Sequence, residues 1–277
     1  MVSRFYRFGL YALVSLFFTV SVGFLNPDPG QARSWVDLLL NGVQVLQLSN
    51  ISDRQEVALG QQIDRGLLQQ GKITPVRDAG INEYINDIGQ RLARYSERPD
   101  IPYTFRVVRD DSVNAFATMG GFVYIHSGLI KVAANEAELA SVIAHEIGHI
   151  AARHSIGQMR NAAIARGVLS ATGLDTRSWV QLGVNLVYNL PHSRQDELEA
   201  DRLGLNNLIA AGYAPSAMVS FLEKLLKKSG STPSFLSTHP ATEERIERLQ
   251  AEIDSIDTAA KGGLDRTSYR SRVRALL

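Results

Sequence analysis

Residues 138–150 read Glu-Leu-Ala-Ser-Val-Ile-Ala-His-Glu-Ile-Gly-His-Ile, inside a stretch from about Asn135 to His154 that reads as one long helix. Asn135 suits the cap of that helix, and Glu136 and Glu138 suit the positive end of its dipole. His145 and His149 stand four residues apart, just over one helical turn, so both imidazoles project from one face and can bind one ion. Glu146 lies next to the first histidine and points to the side, where a carboxylate can act as general base on a water and pass the proton to a leaving amine. Two solvated surface histidines with a Glu between them would be the blander reading. The flanks argue against it: Val142, Ile143, Ala144, Ile147, Ile150 and Ala151 make a buried helix, in which unpaired polar groups are costly. Gly148 adds a hint of close packing, because Gly inside a helix costs roughly 1 kcal/mol relative to Ala.

The chain has six histidines and no cysteine, so thiolate zinc sites, disulfide scaffolds and cysteine nucleophiles are excluded. Any metal is held by His and carboxylates, and neutral imidazole suits zinc. A catalytic zinc needs a third protein ligand. The best source is a helix opening at Ser193, with Asp196-Glu197-Leu198-Glu199-Ala200-Asp201 in its first turns. Glu197 and Asp201 share a face, and Glu199 points almost oppositely. Like charges at that spacing repel unless a cation or donor lies between them. Glu197 is therefore assigned to the metal, Asp201 to the outer N–H of a ligand histidine, and Glu199 to solvent.

Working outward, the 277 residues carry 29 Lys plus Arg against 28 Asp plus Glu, a net charge of +1. That balance argues against a protein built to coat nucleic acid. Arg4 and Arg7 precede an uncharged apolar stretch from Gly9 to Leu25, which stops at Asn26-Pro27-Asp28-Pro29-Gly30. Residues 1–32 thus read as a secretory signal cleaved after Ala32 or as an uncleaved membrane anchor, and either puts the remainder outside the cytoplasm. Helices are expected from Ser52 to Leu68 and after Asp78-Ala79-Gly80. Tyr103 to Val108 alternates as a strand, and Asn114 to Ile125 reads as a strand pair bent at Gly120-Gly121. Residues 155–190 read as a helical hairpin, followed by helices from Ser193 to Ala211, Ser216 to Lys228 and Ala241 to Ile256. Residues 257–277, with Arg266, Arg270, Arg272 and Arg274, read as a loose basic tail.

Taken together, these segments resemble the zinc endopeptidase family that includes HtpX, BepA and the CAAX prenyl protease. The likeness is carried by Asn114-Ala115-Phe116-Ala117 with Gly120-Gly121, by His145-Glu146-Ile147-Gly148-His149, by Ser193-Arg194 with Glu197 to Asp201, and by Thr238-His239-Pro240 with Arg245-Ile246. It implies an α+β, mainly helical, zincin-like peptidase domain over residues 33–256, with a small mixed sheet beside the metal helix. It also implies one zinc ion on His145, His149 and Glu197, Glu146 as the catalytic base, and protein or peptide substrates. A substrate strand would add to a sheet edge at Phe122, Val123, Tyr124 and Ile125, near Asn114. In relatives the His-Pro histidine lies near the metal, so His239 would gate the fourth position or stabilise an oxyanion. Capping the turn before Pro240 is its alternative role. Met119 stands where relatives often have Pro, and His192 replaces a common aromatic. The function implied is cleavage of unfolded or misassembled proteins in the periplasm or cell envelope, with membrane association through the N-terminal segment. The rivals are a non-enzymatic envelope chaperone or assembly factor with a His-closed zinc site, and a small-molecule hydrolase.

Overall fold

The computed structural model describes residues 51–165, 176–186, 191–227, 233–240, 243–256 and 258–277. The expected leader at 1–32 and the apolar stretch at 33–50 lie outside the described residues. Residues 48–162 and 175–277 form one compact unit, and the site and its supporting elements lie within it. In chain order the elements are α1 (Asp53–Gln69), α2 (Ala79–Ala93), β1 (Thr104–Val108), β2 (Ala115–Thr118), β3 (Phe122–His126), α3 (Ser127–Val132) and α4 (Glu136–Ala151). There follow α5 (His154–Ala165), α6 (Thr176–Leu186), α7 (Arg194–Ala210), α8 (Ser216–Lys227), α9 (Ser234–Thr238), α10 (Glu243–Ser255) and α11 (Arg266–Arg272). The chain is α+β, mainly helical, with a small mixed sheet.

Local chemistry sets the helix starts. Ser52 and Ser193 each close a capping box, with Gln55 and Asp196 respectively, while Asp78 and Asn135 accept the third amide of α2 and α4. Helix α4 is buried without a break from Ala137 to Ile150, as expected of a helix that is apolar all round. It ends three residues before the expected His154: Ala152 caps it, and Arg153 then turns the chain at φ 58°.

Helices α4 and α7 meet backbone to backbone. A Cβ at Gly148 would lie 2.6 Å from the Ala200 carbonyl oxygen, and one at Gly204 would lie 2.9 Å from the His145 amide nitrogen. Such glycines let two helices approach more closely than any side chain permits, and here that approach faces Glu197 and Asp201 toward His145.

The sheet has the order β1-β3-β2, with β1 parallel and β2 antiparallel to β3. This corrects the expected substrate edge. Phe122 to Ile125 form the central strand, paired on both sides and wholly buried, so their backbone has no edge to offer. Four consecutive strand-prone residues mark a strand buried on both faces, and that is a central strand. The edge is β2. The His126 amide donates to the Asn114 carbonyl at 3.0 Å, so Asn114 pairs with His126 through hydrogen bonds, and alternation leaves Ala115 and Ala117 with their N–H and C=O turned away from β3. The turn between β2 and β3 places Gly120 at φ 75° and Gly121 at φ 95°. Its hold on the body is electrostatic: the buried Glu56 Oε1 accepts the Gly120 amide at 3.1 Å and is itself paired with Arg98.

The C-terminal segment is also corrected. Its arginines are exposed, yet Tyr269 and Val273 are buried, the Tyr269 hydroxyl donates to the Ile130 carbonyl at 2.6 Å, and Gly263 accepts the Ala137 amide at 2.9 Å. An apolar pair four apart docks α11, a signal that the basic composition hides. Gly148→Ala should lower stability by about 1–3 kcal/mol, because the clash at Ala200 outweighs the gain in helix propensity; the urea midpoint of the metal-free protein measures it, and an unchanged or higher midpoint would contradict the close approach.

Candidate metal centre

The contact of α4 with α7 gathers four buried side chains, His145, His149, Glu197 and His239, whose ligand atoms all lie within 4.8 Å of one another. The Nε2 atoms of His145 and His149 are 3.0 Å apart. Glu197 Oε1 lies 3.3 Å from His149 Nε2, and Oε2 lies 3.6 Å from His145 Nε2. His239 Nδ1 completes the group at 3.3 Å from His145 Nε2 and 3.1 Å from Glu197 Oε1. A tetrahedral ion with bonds of about 2.0–2.1 Å has ligand–ligand edges of about 3.3 Å. The donor set and its spacing therefore fit zinc. His239 reaches the cluster from the end of α9, where its ring stacks on Phe235 at 4.6 Å.

Glu146 faces the same space from α4. Its two carboxylate oxygens are buried and make no full hydrogen bond; the Ala117 amide faces them, and Oε1 lies 3.5 Å from His239 Nε2. Burial pushes its pKa up, partly offset by the charges of His239 and His145. Such a carboxylate is costly in a purely structural role and suits a group that exchanges a proton. For His239, burial works against protonation, but the carboxylates of Glu146 and Glu197 outweigh it and raise its pKa.

Behind the cluster stand side chains of α7 and α10. Asp201 Oδ1 lies 2.9 Å from His145 Nδ1, the ring nitrogen turned away from the cluster. Arg245, only 2 % exposed, spans both acids: its Nε and Nη2 donate to Asp201 at 2.6 and 2.7 Å, and its Nη1 donates to Glu197 Oε2. This is the cation that the Glu197–Asp201 spacing demands. Burial alone would raise both acids, yet the neighbouring His239 and His149 rings hold Glu197 far below the usual carboxylate range, and Arg245 with His145 lowers Asp201. Sequence reasoning gave Arg245 no role beyond its place in a motif. Nothing in an acidic helix such as Glu243-Glu244-Arg245-Ile246-Glu247 marks one arginine as buried.

Glu199 lies half-exposed at the surface, with Oε2 3.4 Å from His154 Nε2. His192 packs over the cluster, its ring 3.9 Å from that of His149, and burial lowers its pKa to about 3. Beside it an open cleft of about 480 Å³ runs along β2, walled by Phe116, Met119, Met159, Leu186 and His192 and floored by His239. Asn114 is buried at the start of β2 with its side-chain oxygen unpartnered.

The model of peptidase family M48 matches residues 81–253. The chain belongs to peptidase family M48. The M48 chain is 34% identical over 221 residues to the beta-barrel assembly-enhancing protease of Escherichia coli O157:H7, covering 72% of this chain and 44% of that protein. It is 30% identical over 249 residues to the metalloprotease LoiP of Escherichia coli K12, covering 86% and 93%. It is 32% identical over 176 residues to the mitochondrial metalloendopeptidase OMA1 of Schizosaccharomyces pombe, covering 60% and 51%. The chain thus spans less than half the length of the assembly-enhancing proteases it matches. Metalloendopeptidase, the enzyme class expected from the sequence, is the class of this family and of these relatives.

Replacing Arg245 with Met should leave two buried carboxylates facing each other and destabilise the metal-free protein by about 3–5 kcal/mol; urea unfolding in the presence of chelator measures it, and an unchanged midpoint would remove Arg245 from the account.

Proposed function

We propose that the chain is a zinc-dependent endopeptidase of the cell envelope that hydrolyses peptide bonds in unfolded or misassembled proteins. The observation that carries the chemistry is Glu146, a buried carboxylate without a full hydrogen bond, 3.5 Å from one member of a metal-binding cluster. His145 and His149 through Nε2, Glu197 through its carboxylate and His239 through Nδ1 would hold the ion. When bound, zinc supplies Lewis acidity, lowering the pKa of water and polarising a carbonyl. Glu146 takes the proton of the attacking water at a carboxylate oxygen and returns it to the leaving amine nitrogen. Its raised pKa favours that return. Asp201 accepts from His145 Nδ1 and so holds the proton away from Nε2, the atom that faces the cluster.

Substrate would bind as a strand on β2, at the outward backbone of Ala115 and Ala117, displacing the Ser155 hydroxyl that approaches the Ala117 carbonyl at 3.5 Å, with Asn114 and the adjoining apolar cleft receiving its polar and apolar groups. In this reading His239, whose Nδ1 sits with the ligand atoms of the cluster, would gate the position that a scissile carbonyl needs. The envelope location draws support from the basic, then apolar, N-terminal segment and from relatives named for β-barrel assembly. Among the described residues no helix is long and apolar enough to cross a membrane. The closing His239 also favours a second reading, an assembly factor whose zinc site is kept for structure. Glu146, buried with neither carboxylate oxygen in a full hydrogen bond, counts against it.

Incubation of the zinc-loaded protein with an unfolded protein should yield fragments that chelation prevents. Glu146→Gln should keep zinc and lose at least a hundredfold in rate, while His239→Ala should cleave faster than the parent. Parental cleavage by Glu146→Gln would refute the assigned base. Absence of fragments from both the parent and His239→Ala would favour the assembly factor.

A further inference from the structure

We infer that His154 is a positioning residue for the metal centre, accepting the outer proton of His149 and relaying that constraint to Glu199. The inference rests on the zinc reading above. With Nε2 of His149 turned into the cluster, 3.0 Å from His145 Nε2 and 3.3 Å from Glu197 Oε1, a neutral His149 that ligates through Nε2 carries its proton on Nδ1. The atom facing that proton is His154 Nδ1, at 2.8 Å. His154 must accept there, so its own proton sits on Nε2. That nitrogen points to Glu199 Oε2 at 3.4 Å, with Asp196 Oδ1 at 3.7 Å. Every link then has one polarity, running from His149 through His154 to an α7 carboxylate.

The backbone is bent to make this contact. In an unbroken helix the fifth residue after His149 would stand about 140° round the axis from it. The chain instead leaves α4 at Ala152, turns through Arg153 at φ 58°, and starts α5 with His154. Arg153 is the one non-glycine residue with positive φ among the described residues, a conformation that side chains other than Gly, Asn and Asp seldom accept. It is held there by its own guanidinium, which donates to the Ile51 carbonyl at 3.2 Å, lies 3.3 Å from Glu56 Oε2 and pairs with Asp53. The result is a His154 ring only 8 % exposed, folded back under His149. Both histidines of the metal helix therefore have an outer acceptor, Asp201 for His145 and His154 for His149. The acceptors differ in kind: Asp201 is a carboxylate, whereas His154 is a ring that takes its orientation from the half-exposed Glu199. His149, His154 and His192 also lie close enough to suggest a second ion, but that would require His149 to give up both ring nitrogens at once.

Zinc affinity of the full chain, read by competition with a chromophoric chelator, tests the assignment. His154→Ala should bind zinc about 10–100-fold more weakly than the parent. His154→Asn, which keeps an acceptor oxygen near the place of Nδ1, should recover most of the loss. Glu199→Ala, at the surface, should show a smaller loss in the same direction. A parent that binds no zinc would overturn the metal-centre reading itself. Parental affinity in His154→Ala, or an Asn variant as weak as the Ala variant, would overturn this inference alone, and parental affinity in Glu199→Ala would remove its last link.

Discussion

Everything in this molecule depends on the contact of two helices at backbone distance. Gly148 of α4 lies against the Ala200 carbonyl, and Gly204 of α7 lies against the His145 amide. At that separation the two histidines and Glu197 need no long side-chain reach to meet. Packed interiors transmit strain rather than absorbing it, so the spacing of the cluster is fixed by main chain, and side chains only complete it. The apolar surroundings of α4 exclude water from the same place. This exclusion both disfavours the charged form of Glu146 and strengthens the pull of Arg245 on its two carboxylates.

Around that contact, each acid or imidazole is oriented by a neighbour on another element. Asp201 holds His145, Arg245 holds Asp201 and Glu197, and Glu56 with Arg98 anchors the glycine turn that ends β2. These are buried ion pairs, which cost desolvation and confer specificity of geometry more than net stability. Met119 gives that turn no rigidity of its own. The Glu56 carboxylate on the Gly120 amide supplies it.

Much of this was legible in the sequence, and the reasons differ by feature. Helices with capping residues and clear periodicity, such as α2 with Asp78, Ile81, Ile85 and Ile88, announce themselves locally. So does a pair of histidines four apart, and an acid pair four apart that demands a cation. Pairing order within the sheet is not local. Phe122 to Ile125 read as an edge because strand propensity says nothing of neighbours, whereas their complete burial belongs to a central strand. The docking of Tyr269 and Val273 was masked by four arginines that remain in solvent. Arg245 and His154 could not be found from spacing alone. One reaches its partners from a helix nearly fifty residues downstream, and the other depends on an unusual φ at Arg153.

The central claim is that three imidazoles and one carboxylate converge on a single zinc ion. X-ray absorption at the zinc edge of the purified, zinc-loaded protein tests it most directly. The account predicts one zinc per chain in a four-coordinate shell of nitrogen and oxygen, with multiple-scattering features of three imidazoles that fall to two in His239→Ala. A six-coordinate oxygen shell, or a two-imidazole signal unchanged by His239→Ala, would contradict it.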